Sequence, residues 1–88
     1  MAVTPSELDV VAEEELKAAL TLNWRDLSKI IPWGDSYMAQ TPGGAEVEVD
    51  RAYLWAAADG DGILCEVVVR PVPGSDVGAV RVSAVIQK

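Results

Sequence analysis

The sequence predicts an α+β domain: an N-terminal helix and a short second helix packed on one face of a three- to four-stranded antiparallel β-meander. Three observations point to it. Apolar residues recur at helical spacing from Leu8 to Leu20. The period falls to two in the second half of the chain, and Gly and Pro clusters punctuate that half at short intervals. Short connections favour antiparallel neighbours, and helices that precede such a sheet cover one of its faces.

The first helix is expected over Pro5–Leu20. Thr4-Pro5-Ser6-Glu7 has the order of a capping box, with Thr4 as cap and Pro5 where a missing N–H is harmless. Leu8, Val11, Ala12, Leu16, Ala19 and Leu20 share one face, and Glu13, Glu14 and Glu15 fall mostly away from it. Asn23 is a second cap, with Trp24, Leu27, Ile30 and Ile31 on one face of a shorter helix that Pro32 terminates. Trp33-Gly34-Asp35 reads as a turn and Ser36–Gln40 as a short strand.

Thr41-Pro42-Gly43-Gly44 matches a type II turn. In Ala45–Ala57, Val47, Val49, Tyr53 and Trp55 share one parity, and Glu46, Glu48 and Asp50 the other. Arg51 falls on the apolar parity, which a bulge or a snorkelling side chain at the sheet margin would explain. Asp59-Gly60-Asp61-Gly62 is a tight connection. Ile63–Arg70 is the most β-rich run, residues 71–76 form a loop, and Val77–Gln87 is the last strand.

Eighty-eight residues make a single acidic domain over residues 1–88. Fourteen acidic residues stand against seven basic ones, for a net charge of −7. There is no histidine and only one cysteine. That excludes Ser-His-Asp and Cys-His catalysis, His-ligated metals, an internal disulfide and a Cys-rich zinc cluster. The charge argues against direct nucleic-acid binding, since phosphate recognition takes clustered Lys and Arg. No apolar stretch approaches the roughly 20 residues of a membrane helix, and no leader pattern opens the sequence. A lone Cys65 suits a reducing compartment, so a cytoplasmic location is expected.

Each candidate site has a plainer reading beside it. Asp59-Gly60-Asp61-Gly62 resembles the start of a calcium loop, but positions five and twelve hold Ile63 and Arg70, so a polar turn is the better reading. Trp33, Asp35, Ser36 and Tyr37 could hold a ligand or anchor a partner; alternatively Trp33 closes the end of the core. Glu46, Glu48, Asp50 and Glu66 form an acidic stripe on the polar parity, either solvated or facing a basic partner. Leu54, Val68 and Val85 lie on that same parity and would make an acid-rimmed apolar patch if neighbouring strands bring them together. Cys65 reads as a small buried hydrophobe.

The expected function is that of a small acidic, non-enzymatic protein-interaction domain: a regulator, inhibitor or adaptor without a cofactor. Its expected contact residues are Glu46, Glu48, Asp50, Leu54, Glu66 and Val68, with Trp33 and Tyr37 as a second surface. The first alternative is a structural subunit of a homodimer, larger homo-oligomer or assembly, joined through a strand edge or the same patch. The second is a ligand-binding or minimal enzymatic domain with a pocket near Trp33, Asp35 and Tyr37.

Overall fold

A computed structural model describes residues 5–57 and 62–87. Helix α1 spans Pro5–Ala19 and helix α2 spans Trp24–Leu27. Four strands follow: β1 (Trp33–Gln40), β2 (Glu46–Trp55), β3 (Ile63–Arg70) and β4 (Val80–Ile86). They pair in sequence order as one antiparallel sheet, the meander expected from the short connections. The Thr4 cap and residues Asp59, Gly60 and Asp61 of the acidic turn lie outside the described residues.

Leu8, Val11, Ala12 and Ala19 are buried and Leu16 packs with them, so the helical spacing marks the true contact face. Leu20 does not belong to it. The helix closes one residue earlier, in tighter i→i+3 bonds from Thr21 to Ala18 and from Leu22 to Ala19, and this turn leaves Leu20 exposed. Asn23 caps α2 as expected, its side chain accepting from the Arg25 N–H at 2.7 Å. The helix proper is a single turn that buries Leu27.

The covered sheet face carries Val47, Val49 and Tyr53 from β2, and Ile63, Cys65, Val67 and Val69 from β3, all fully buried. Val80, Val82 and Ile86 of β4 join them. The first turns of α1 pack at the Val47–Val69 end, and Ala19 and Leu27 pack at the Tyr53–Ile63 end. Leu16 touches both groups. Helix α1 therefore runs along the sheet in the direction of β2 and β4, and it rests on β3 and β4. Among the described residues no helix is long and apolar enough to cross a membrane.

The last strand begins at Val80 rather than Val77, because the Ala79 N–H to Asp76 carbonyl bond keeps residues 77–79 in a turn. Two further local readings need correction. Trp33-Gly34-Asp35 is not a turn but the start of β1, paired with Tyr53, Ala52 and Arg51. Gly34 does not bend the chain; it serves close approach. A Cβ there would sit 2.7 Å from the Arg51 carbonyl oxygen. Gly34→Ala is expected to lower stability by about 1–3 kcal/mol, as overpacking does. Thermal melting checks this, and an unchanged Tm would mean that the β1 edge yields freely.

The second correction concerns residues 41–45. Gly44, not Gly43, has positive φ (+88°). The Gly44 N–H donates to the Thr41 carbonyl, and the Thr41 N–H to the Ala45 carbonyl. That is a three-residue hairpin loop with left-handed glycine in its last position, built on a type I rather than a type II turn.

Candidate functional site

The two sheet faces differ in cover. The helices occupy one, and among the described residues no helix covers the other. On the free face stand Ser36 and Met38 of β1, Glu46, Glu48, Asp50, Ala52 and Leu54 of β2, Leu64, Glu66, Val68 and Arg70 of β3, and Arg81, Ser83 and Val85 of β4. Parity and register place them there.

Leu54, Leu64 and Val85 are direct cross-strand partners and form an apolar row across three strands. Leu54 is 43% and Val85 42% exposed. The expected patch thus exists in part. Val68 is not in it: it pairs with Asp50 and Arg81 four residues along β3 from Leu64, beyond Glu66. It is only 6% exposed, flanked by side chains long enough to close over it. Leu64, missed in the sequence reading, takes the central place; its parity with Glu66 was the available signal.

Three of the four carboxylates of the acidic stripe are paired within the fold, though Arg70 is shared between two of them. Arg70 stands across the ladder from Glu48. Its guanidinium pairs with Asp50, with Glu48 at 3.5 Å and with Asp76 at 2.9 Å. Asp50 also accepts from Ser36 Oγ at 2.5 Å. The Ser36 hydrogen bond and the Arg70 guanidinium hold its carboxyl below the usual carboxylate range. Glu48 accepts from the Gly74 N–H at 3.3 Å, so the loop after β3 is tied back to this face. Glu66 and Arg81 lie 3.6 Å apart. Glu46 is exposed and has no ion-pair partner among the described residues.

Trp33 and Tyr37 belong to the other face, near the sheet edge that α1 leaves open. No bulge explains Arg51; its guanidinium reaches instead toward β1, the edge strand of the sheet. The register runs unbroken through it, and its side chain stays on the helix side. There Asp35 lies directly opposite and accepts two bonds from the guanidinium, at 3.0 Å from Nε and 2.9 Å from Nη2. The guanidinium lies 5.7 Å from the Trp33 ring centroid and 5.1 Å from that of Tyr37. Trp33 also stacks on Tyr53 at 5.2 Å, so it closes the core end, while remaining 37% exposed. Tyr37 donates its hydroxyl to Glu15 of α1. Burial, then the bond to Glu15 and its charge, push the Tyr37 phenol well above its ordinary range.

Cys65 is buried beneath this cluster, and desolvation pushes its thiol up, away from reactivity. The described residues enclose no ligand-sized pocket. No group of three or more His, Cys, Asp or Glu among them is placed to hold a metal ion. Chemically, the free face can bury an apolar row between charged flanks; the Arg51 cluster holds its polar groups in mutual bonds. No protein-family model, curated protein or solved structure matches the chain.

Proposed function

We propose that the chain is a small non-enzymatic protein-interaction domain, a regulator, inhibitor or adaptor of a larger partner, and that it binds through the helix-free sheet face. The observation that carries this reading is the row Leu54–Leu64–Val85, set directly across three strands on a face no helix covers. Apolar contact at the centre with charged groups at the rim is how protein interfaces are built. Here the rim is the Glu66–Arg81 pair and the tied carboxylates around Arg70.

The partner is a protein with an apolar patch in a basic surround. The net charge of −7 steers such a partner in, and Glu46 is the free-face carboxylate still open to it. The internal pairing of Glu48 and Asp50 moves the weight of binding from the acidic stripe to the apolar row. Trp33 and Tyr37 remain a secondary surface. A ligand or catalytic site there would have to dismantle the bonds that Asp35 and Tyr37 already make. A cytoplasmic setting belongs to the same proposal and rests on the single unpaired thiol.

Leu54→Glu tests this. Its side chain is exposed enough that the fold should change by no more than about 0.5 kcal/mol. The tagged 88-residue chain and its variants would be used to capture partners from a lysate of the source cells. Leu54→Glu is expected to cut capture at least tenfold, and Glu46→Lys to cut it less, mainly at low salt. Undiminished capture by Leu54→Glu, with intact circular dichroism, would overturn the assignment of the face.

A further inference from the structure

We infer that β4 pairs edge to edge with β4 of a second copy, joining two four-stranded sheets into one sheet of eight strands. The inference is independent of the face proposed above, because it rests on backbone direction along the sheet margin.

The Ala56 N–H donates to the Gly62 carbonyl at 2.9 Å. Backbone groups of successive residues in a strand point to opposite neighbours. Leu64, Glu66, Val68 and Arg70 therefore turn theirs to β2. Ile63, Cys65, Val67 and Val69 turn theirs to β4, where they meet Ile86, Ala84, Val82 and Val80. The N–H and C=O groups of Arg81, Ser83 and Val85 are left facing outward. No described segment pairs with that edge.

The two edges of the sheet are not alike. Natural sheets blunt an edge with an inward-pointing charge, a proline or a bulge. Strand β1 has the first device, Asp35 bonded to Arg51, and it follows directly on Pro32. Strand β4 reads Val-Arg-Val-Ser-Ala-Val-Ile, with no proline, no glycine and no charge on its core side. It is an open template.

Its sequence also suits its own antiparallel copy. With the two-fold axis at Ser83, the middle residue of β4, each strand sets Arg81 opposite Val85 of the second copy and Ser83 opposite Ser83. All three outward residues then exchange both hydrogen bonds. On the core side Val80 meets Ile86 and Val82 meets Ala84 of the second copy, in the closer, non-bonded pairs of the ladder. All four are half-buried in the single chain and become covered in the pair. Charge favours this register: the strand's one charge, Arg81, meets an apolar residue, whereas an axis at Arg81 would oppose two like charges. The row Leu54–Leu64–Val85 then continues onto the stem of Arg81 and Val68 of the second copy.

The test is sedimentation velocity of the full chain over a range of concentrations. The wild type is expected to be a dimer. Ser83→Pro removes the central outward N–H while sparing the β3–β4 ladder, so a folded monomer is expected. Met38→Pro makes the matched change at the β1 edge, since the Thr41 N–H to Ala45 bond places the Met38 backbone groups outward there. It should remain a dimer. A second pair of variants decides the matter even where Ser83→Pro does not fold. Val85→Glu, facing Arg81 of the second copy twice per dimer, should tighten association about two- to tenfold, and Val85→Arg should weaken it by a similar factor. A wild-type monomer at every concentration, a dimer that survives Ser83→Pro, or no opposite response between Val85→Glu and Val85→Arg would overturn the inference. Leu54→Glu should leave the dimer intact, which separates failure here from failure of the face reading.

Discussion

Tyr53→Ala is expected to unfold the protein or bring it close to unfolding, while Tyr53→Phe leaves it at least as stable as the wild type. Tyr53 is the largest fully buried side chain, with 0% exposure on a central strand. It packs with Ala19, Leu27, Ile63 and Cys65, and Trp33 stacks on it at 5.2 Å. Truncating a buried aromatic costs about 3–5 kcal/mol, because the cavity adds to the lost transfer energy. A domain of this length has roughly 4–13 kcal/mol of stability in all, so the loss is a large share of it. The phenylalanine variant separates packing from polarity. The Tyr53 hydroxyl is buried without a hydrogen-bond partner among the described residues, with the Cys65 thiol as its polar neighbour. An unpaired buried hydroxyl costs about 1–3 kcal/mol of desolvation. Removing it and keeping the ring should raise Tm or leave it unchanged, after the small loss of the oxygen's own contacts. Thermal melts of the three proteins decide it. A Tm for Tyr53→Phe several degrees below wild type would mean that the hydroxyl has a bonding partner, and the core would need a different account.

The same residue shows how much of the structure the sequence carried. Val47, Val49 and Tyr53 alternate with Glu46, Glu48 and Asp50, so the two faces of β2 could be read directly. The helical stripe of α1 was legible for the same reason: burial imposes its period on the sequence. Legibility failed where local chemistry and tertiary pairing disagree. Gly34 beside Pro32 looks like a turn, yet its missing side chain makes room for the Arg51 carbonyl across the ladder. Misreading three residues hid the site around Arg51. Once β1 begins at Trp33, parity puts Asp35 and Tyr37 on the face of Arg51, and the ion pair follows. Arg70 went unnoticed for another reason. Its partners Glu48, Asp50 and Asp76 lie on another strand and in a loop, and only the register brings them together. The free face was half legible: Leu54 and Val85 do share a row, but which apolar residue lies between them depends on pairing, which parity alone does not fix.

Raising the pH should unfold the protein in a transition that carries its tyrosines with it. The chain has two tyrosines, and the fold pushes both phenols up. For Tyr37 the first cause is burial and the next is the bond to Glu15, with Arg51 opposing. For Tyr53 burial again leads, followed by Cys65. A phenol whose folded pKa exceeds the unfolded value of about 10 keeps its proton in the native state when the unfolded chain has lost it. The unfolded state then binds fewer protons, so stability falls as pH rises. The contribution is whole below about pH 10 and declines above it, by about 1.4 kcal/mol per pH unit for each such group. Cys65, raised by burial, adds the same sense of change from about pH 8.5, where a free thiol ionises. The combined slope above pH 10 is steep enough to exhaust the stability of a small domain within a few pH units. Tyrosinate absorbance and far-ultraviolet circular dichroism, followed together, check this: both should change in one step above pH 10. Tyr37→Phe should make the alkaline limb shallower by about one proton. Tyrosinate forming near its ordinary pH in a protein that stays folded would mean that the Glu15–Tyr37 contact and the burial of Tyr53 do not hold in solution. The cluster around Arg51 would then be an open surface rather than a closed part of the core.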